Sequence, residues 1–162
     1  MTQSYLIALG SNRPGRHGGP RAEIRAALAA IGATRVSPIM TTPPLGPSNR
    51  AYANAVARIE VEADPPALLA RLKAIEHDFG RRRGRRWGAR VIDLDIIAWS
   101  GGLWRSPGLT VPHRALRERD FVLAPLVALA PDWRDPVTGL SARQLHARLT
   151  RRRALPNRQK RW

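Results

Sequence analysis

A run of β-formers broken by two acids constrains this chain more than any other feature. Residues Arg86 to Trp99 read Arg-Trp-Gly-Ala-Arg-Val-Ile-Asp-Leu-Asp-Ile-Ile-Ala-Trp. Val91, Ile92, Leu94, Ile96 and Ile97 favour extended backbone. Strand side chains alternate faces, so Asp93 and Asp95 project from one face, about 7 Å apart at Cα. Leu94 points the other way, into a core. Two carboxylates placed so close repel each other and must be neutralised. A divalent metal of the Mg²⁺ kind, bound through hard oxygen ligands, would do this. Ion pairs with Arg86 and Arg90 would do it too, and spacing leaves both readings open.

The rest of the chain supplies elements around that strand. Ser4 to Leu9 reads as a first strand, ended by the turn cluster Gly10-Ser11-Asn12. After a loop rich in Gly, Pro and Arg, Ile24, Ala27, Leu28 and Ile31 recur at helical spacing over Arg21 to Ile31, and Gly32 stops the helix. Val36 to Thr41 reads as a second strand. It runs into Thr42-Pro43-Pro44-Leu45-Gly46-Pro47, whose prolines forbid helix and central strand alike. Ala51 to Val61 alternates as a third strand, with Ala53, Ala55, Ala57 and Ile59 on one face and Tyr52, Asn54, Val56 and Arg58 on the other. Asp64 caps a helix begun by Pro65-Pro66, striped with Leu68, Leu69, Leu72 and Ile75 and ended by Gly80. Leu109-Thr110-Val111 is a short extended piece. Helices follow over Phe121 to Leu129 and Ser141 to Leu149. The order predicts an α+β fold with a ferredoxin-like βαββαβ core, a mainly antiparallel sheet with helices on one face. One domain spanning 1–162 suits that length.

Charge narrows the partners. The net charge is +16, and Lys73 and Lys160 are the only lysines among 28 basic residues. Such a field attracts nucleic acid or nucleotide phosphates, or simply decorates a solvated surface. The chain has no cysteine, which removes disulfides and thiolate metal sites. Tyr5 to Leu9 is too short for a signal-peptide core, and no apolar run reaches about 18 residues. The expectation is a soluble, cytoplasmic, monomeric protein with no membrane partner.

No G-x-x-x-x-G-K-[ST] sequence is present, so a P-loop does not cradle phosphate here. His17, His77, His113 and His146 are scattered, without zinc-type spacing. Arg90, Asp93, Asp95, Thr110 and His113 are polar groups set beside apolar runs. The free backbone of the Thr42 to Pro47 loop, with Tyr52 and Asn54 just after it, suits a flat heterocycle: an amide reads donors and acceptors, and an aromatic ring gives a stacking face.

Gly10-Ser11-Asn12, Thr42-Pro43-Pro44-Leu45-Gly46-Pro47, Tyr52-Ala53-Asn54-Ala55, Arg86-Trp87-Gly88-Ala89-Arg90-Val91-Ile92-Asp93-Leu94-Asp95-Ile96 and Leu109-Thr110-Val111-Pro112-His113 occur in this order. Together, from Tyr5 to about Pro131, they resemble the 6-hydroxymethyl-7,8-dihydropterin pyrophosphokinase family of folate biosynthesis. The resemblance implies transfer of the pyrophosphoryl unit of ATP to the pterin hydroxymethyl oxygen, with release of AMP. It implies that Asp93 and Asp95 hold two Mg²⁺ ions and act in catalysis with Arg81 and Arg90. It implies that Thr42, Pro43, Leu45 and Asn54 read the pterin edge, with Tyr52, Phe121 and Trp87 around its ring. Glu76, Arg83, Trp87, Arg90, Ile96, Thr110, His113 and Arg119 are implied on the ATP side.

Three places depart from the family pattern. The basic loop Arg81 to Arg86 is one residue shorter and lacks lysine, Gly108 stands where a basic residue can occur, and the loop Arg13 to Pro20 is longer. A rival reading, a ferredoxin-like RNA-binding module, would need a [KR]-G-[FY]-[GA]-[FY] strand. No such strand is present.

Overall fold

The computed structural model of the chain describes residues 1–43, 51–80 and 91–154, with side chains up to 151. Its sheet contains β1 (Gln3–Ser11), β2 (Arg35–Val36), β3 (Met40–Thr42), β4 (Tyr52–Val61) and β5 (Asp93–Trp99). The order is β2-β4-β1-β5, with β3 also on β4 and every pairing antiparallel. A separate hairpin joins β6 (Trp104–Ser106) to β7 (Leu109–Val111). The helices are α1 (Pro20–Ile31), α2 (Pro65–Asp78), α3 (Asp120–Leu129) and α4 (Ala142–Ala154), with a 3₁₀ turn at Leu116–Glu118. The fold is the α+β, ferredoxin-like arrangement that the order of elements predicts.

Local chemistry sets the element ends. Pro20 opens α1, and Gly32 closes it in the left-handed region at φ 70°. The Asp64 carboxylate accepts the Ala67 N–H at 2.9 Å to cap α2. The expected second strand over Val36 to Thr41 is split into β2 and β3. Pro38 has no N–H to give the ladder. Ser37 takes over locally: its N–H donates to Val56 O and its hydroxyl accepts the Val56 N–H, both at 2.9 Å.

Helices cover both faces of the sheet, a correction to the one-sided layer expected. Tyr5, Ile7, Leu9, Ala55, Leu94 and Ile96 bury against α1 and α2, while Leu6, Val56, Ile97 and Ala98 bury under α3 and α4. The cause is the segment Asp120–Leu129, which is apolar nearly all round after its first residue and so needs burial. Leu6 pairs with Ala98 but Ile7 with Ile96, so Ile97 is an extra residue in β5. That bulge interrupts the alternation, so Ile97 and Ala98 both face the α3/α4 core while Ile96 stays with Leu94 on the other.

The long loop before α1 is anchored rather than loose. The buried Glu23 carboxylate accepts the His17 N–H at 2.7 Å and meets His17 Nδ1 at 2.8 Å, and the His17 ring lies 4.9 Å from that of Phe79. A Cβ at Gly15 would sit 2.6 Å from both Glu23 Oε1 and Val91 Cγ1, so only glycine fits there.

Candidate active site

The acidic pair lies on the α3/α4 face of β5, with Leu94 buried on the other, as alternation requires. In the antiparallel register Ala8 stands opposite Asp95, and Gly10 opposite both Asp93 and Asn54. The row Asp93, Gly10, Asn54, Met40 therefore crosses four strands with no side chain at its second position. A Cβ on Gly10 would come within 3.3 Å of Asn54 Oδ1. The glycine keeps a lane open between the amide and the carboxylate. Gly10, expected in a turn cluster that ends the first strand, lies inside β1, and only register shows the lane.

Asn54 is 5% exposed, and its Nδ2 has no hydrogen-bond partner among the described residues. A buried donor left unpaired costs about 1–3 kcal/mol unless something else takes its hydrogens. Nearby, Tyr52 and Phe121 are 39% and 37% exposed, although rings of that size are ordinarily buried. Tyr52 begins β4 opposite Thr42, Phe121 begins α3, and α3 packs on β4 and touches β3. Pro43 is exposed next to Thr42. The Arg119 guanidinium lies 5.7 Å from the Phe121 ring centre.

Electrostatics mark Asp95. Burial pushes its carboxyl pKa up and the neighbouring charge of Asp93 pushes it further, while His113, Arg119 and Lys73 pull it down. The charged form of Asp95 is thus held at a cost that a cation would relieve. His113 is tied to the same strand, its N–H donating to Ile97 O at 3.1 Å. Its Nδ1 accepts the Ala115 N–H at 3.1 Å, which leaves Nε2 to carry the ring proton in the neutral form. Thr110 lies on β7, which touches β5.

Two of the expected residues lie on the other side of β5 from the acidic pair. Ile96 is buried in the α1/α2 core, on the face away from the aspartates. Glu76 is buried on α2, which packs against β5 from that same side. Arg81, Arg83, Trp87, Arg90 and Leu45 lie outside the described residues. Among the described residues no group of three or more metal-ligating side chains occurs. Two carboxylates still fit a Mg²⁺ ion that takes its remaining ligands from water and substrate phosphates. Two further features carry no signal in the sequence: Lys73, whose charge reaches Asp95 from α2, and an ion pair in the 3₁₀ turn. There Asp135 accepts from Arg117 Nε and Nη2 at 2.6 and 2.9 Å, just before Arg119.

An unsatisfied amide and two open aromatic rings near an acidic pair define a class: a small α+β domain that presents hydrogen-bonding and stacking groups next to concentrated charge. The model of the family described as 7,8-dihydro-6-hydroxymethylpterin-pyrophosphokinase (HPPK) matches residues 6–131. A Pseudomonas aeruginosa 2-amino-4-hydroxy-6-hydroxymethyldihydropteridine pyrophosphokinase is 43% identical over 143 residues, covering 84% of this chain and 86% of that protein. The Haemophilus influenzae protein of the same name is 41% identical over 139 residues, covering 82% and 84%. Among solved structures, a Plasmodium falciparum HPPK-DHPS with pteroate superposes with a TM-score of 0.75 at 13% identity. That match covers 94% of this chain and 45% of the other, and at such identity it speaks for the fold. The chain belongs to the HPPK family; it is a pyrophosphokinase, a transferase of folate synthesis. Among the described residues no helix is long and apolar enough to cross a membrane.

Proposed function

We propose that this protein transfers the pyrophosphoryl group of ATP to 6-hydroxymethyl-7,8-dihydropterin and releases AMP. The observation that carries the substrate reading is the buried, partnerless Asn54 Nδ2 beside the exposed Tyr52 and Phe121 rings. A pterin edge offers ring nitrogen and carbonyl acceptors to that amide, and its faces suit stacking. The relatives whose names include pyrophosphokinase support the reaction type.

In this reading the hydroxymethyl oxygen attacks the β-phosphorus in line. The bond from that phosphorus to the α,β-bridging oxygen breaks, AMP departs, and the hydroxyl proton is lost to solvent. Thr42, Pro43, Leu45, Asn54, Tyr52, Phe121 and Trp87 orient the pterin. Glu76, Arg83, Trp87, Arg90, Ile96, Thr110, His113 and Arg119 bind ATP. Asp93 and Asp95 would hold Mg²⁺, two ions in the full assignment, which when bound supply neutralisation of the phosphate charge. Arg81 and Arg90 add fixed positive charge and bidentate hydrogen bonds, since a guanidinium does not give up its proton near neutral pH. Transfer of this kind asks chiefly for position and charge stabilisation, and no strong general base is needed. The protein acts as a monomer in the cytoplasm.

The test is direct. Purified protein incubated with ATP, Mg²⁺ and 6-hydroxymethyl-7,8-dihydropterin should yield AMP and the pyrophosphorylated pterin by chromatography. ADP with a monophosphorylated pterin would overturn the reading. ATP with Mg²⁺, rather than RNA, should raise the melting temperature.

A further inference from the structure

We propose that a second ligand site, for a small amphipathic anion, lies at the end of the sheet opposite Asp93 and Asp95. The ligand class is a flat apolar body bearing one carboxylate, sulfonate or phosphate. A cavity of about 380 Å³ opens there, between the strands and the chain that leaves α3. That volume falls within the range of small-molecule pockets, about 300–1,000 Å³.

Register builds its floor. Arg35 stands opposite Arg58, Arg58 opposite Leu6, and Leu6 opposite Ala98, one row across four strands on the face that α3 covers. Four residues along β1 separate Leu6 from Gly10, about 13 Å of strand. Leu129, Pro131 and Trp133 supply the facing apolar wall. The cavity is therefore apolar on two sides and cationic on the third.

The arginine pair is the informative part. Like charges directly opposite on neighbouring strands repel. Arg58 has one counterion, Glu60 at 3.3 Å, and donates to Ser4 Oγ at 3.2 Å. The Arg35 guanidinium makes no hydrogen bond or ion pair among the described residues. Asp132 also lines the cavity, but its side chain is 91% exposed and its carboxylate turns to Arg143 at 3.9 Å. Two guanidiniums thus share one carboxylate, and one positive charge at the cavity is left over. The end of α3 presents carbonyls, which disfavour a nearby anion. The anionic group accordingly sits on the Arg35/Arg58 wall, with the apolar body against Leu129 and Trp133.

Two dyes of nearly one shape test this on the full chain: the sulfonate 1-anilinonaphthalene-8-sulfonate and the neutral N-phenyl-1-naphthylamine. Fluorescence titration should show the sulfonate binding at one site. Arg35→Gln and Arg58→Gln should each weaken it at least fivefold, leave the neutral dye within twofold, and leave AMP formation unchanged. Arg35→Lys should recover part of the sulfonate affinity. ATP with Mg²⁺ should not displace the dye. Unchanged sulfonate binding in both glutamine variants, equal weakening of the two dyes, displacement by ATP, or no sulfonate binding at all would each overturn the proposal. None of these outcomes bears on the pyrophosphokinase reading, because Arg35 and Arg58 lie outside that site.

Discussion

Asn54 and Asp93 face each other along one cross-strand row, with only the α-carbon of Gly10 between them. The amide that would read a heterocycle and the acid that would hold a cation are thus fixed on the two strands that flank β1, β4 and β5. Their separation is set by the sheet spacing, about 4.8 Å per strand. No loop movement is needed to bring them into one site.

Gly10→Ala should fill that lane. The new methyl group would lie 3.3 Å from Asn54 Oδ1, so the amide must yield or the substrate must shift. Overpacking of this sort costs about 1–3 kcal/mol, which corresponds to roughly ten- to hundredfold in affinity. We expect the loss in the pterin KM, with the ATP KM within a factor of about three. Equal changes in both constants would mean that Gly10 serves the strand and not the substrate.

Asp93→Asn and Asp95→Asn should separate stability from activity. Burial and the charge of Asp93 raise the Asp95 pKa, so ionised Asp95 destabilises the fold at neutral pH. Replacing either carboxylate by an amide removes the repulsion, and the melting temperature without Mg²⁺ should rise. Turnover should fall by at least about a hundredfold, since cation-mediated charge stabilisation is worth several kcal/mol. A variant that melts lower without Mg²⁺ and keeps a tenth of the wild-type kcat would contradict the assignment of this pair.

Much of this geometry was legible in the sequence, for a definable reason. The shared face of Asp93 and Asp95 follows from period-two alternation around Leu94, and the order of strands and helices follows from the prolines, glycines and caps that end them. What escaped depends on pairing between distant segments. The lane at Gly10 exists only because β4 and β5 flank β1 in one register. The bulge at Ile97 sets Ile97 and its neighbour Ala98 on one face, which no local pattern in a run of apolar residues reveals. The apolar segment from Phe121 to Leu129 announced a buried helix, but its place over the second sheet face is a tertiary fact. The hairpin strand Trp104–Ser106, three residues long, carries too little periodicity to be read.

Tyr52→Ala and Phe121→Ala should weaken pterin binding far more than ATP binding. Both rings stay more than a third exposed, consistent with faces kept for a ligand. Each stacking contact is worth about 0.5–1.5 kcal/mol beyond the area it buries. Calorimetry should find at least a threefold loss for the pterin in each variant. Equal losses for the two ligands would argue that the rings support the fold instead.

Asp135→Asn should report on how Arg119 is held. Burial by itself would raise the Asp135 carboxyl, but hydrogen bonds from Arg117, the Val137 N–H and the Thr138 hydroxyl, with the Arg117 charge, outweigh it and lower the pKa. The sign follows from linkage. An acid whose folded pKa lies below its unfolded value of about 3.9 stabilises the fold above that value. That contribution is lost as pH falls through the lower, folded pKa, so this brace fails only in strong acid. At neutral pH the substitution breaks a pair whose carboxylate is fully buried, at a cost of about 3 kcal/mol, or roughly 6–12 °C in melting temperature. Arg117 sits in the 3₁₀ turn two residues before Arg119, whose guanidinium field reaches Asp95. The ATP KM of the variant should therefore rise at temperatures where it is still folded, with the pterin KM unchanged, and its stability should lose its dependence on pH below about 4. A variant with the full loss of stability but an unaltered ATP KM would show that the brace holds the fold without positioning Arg119.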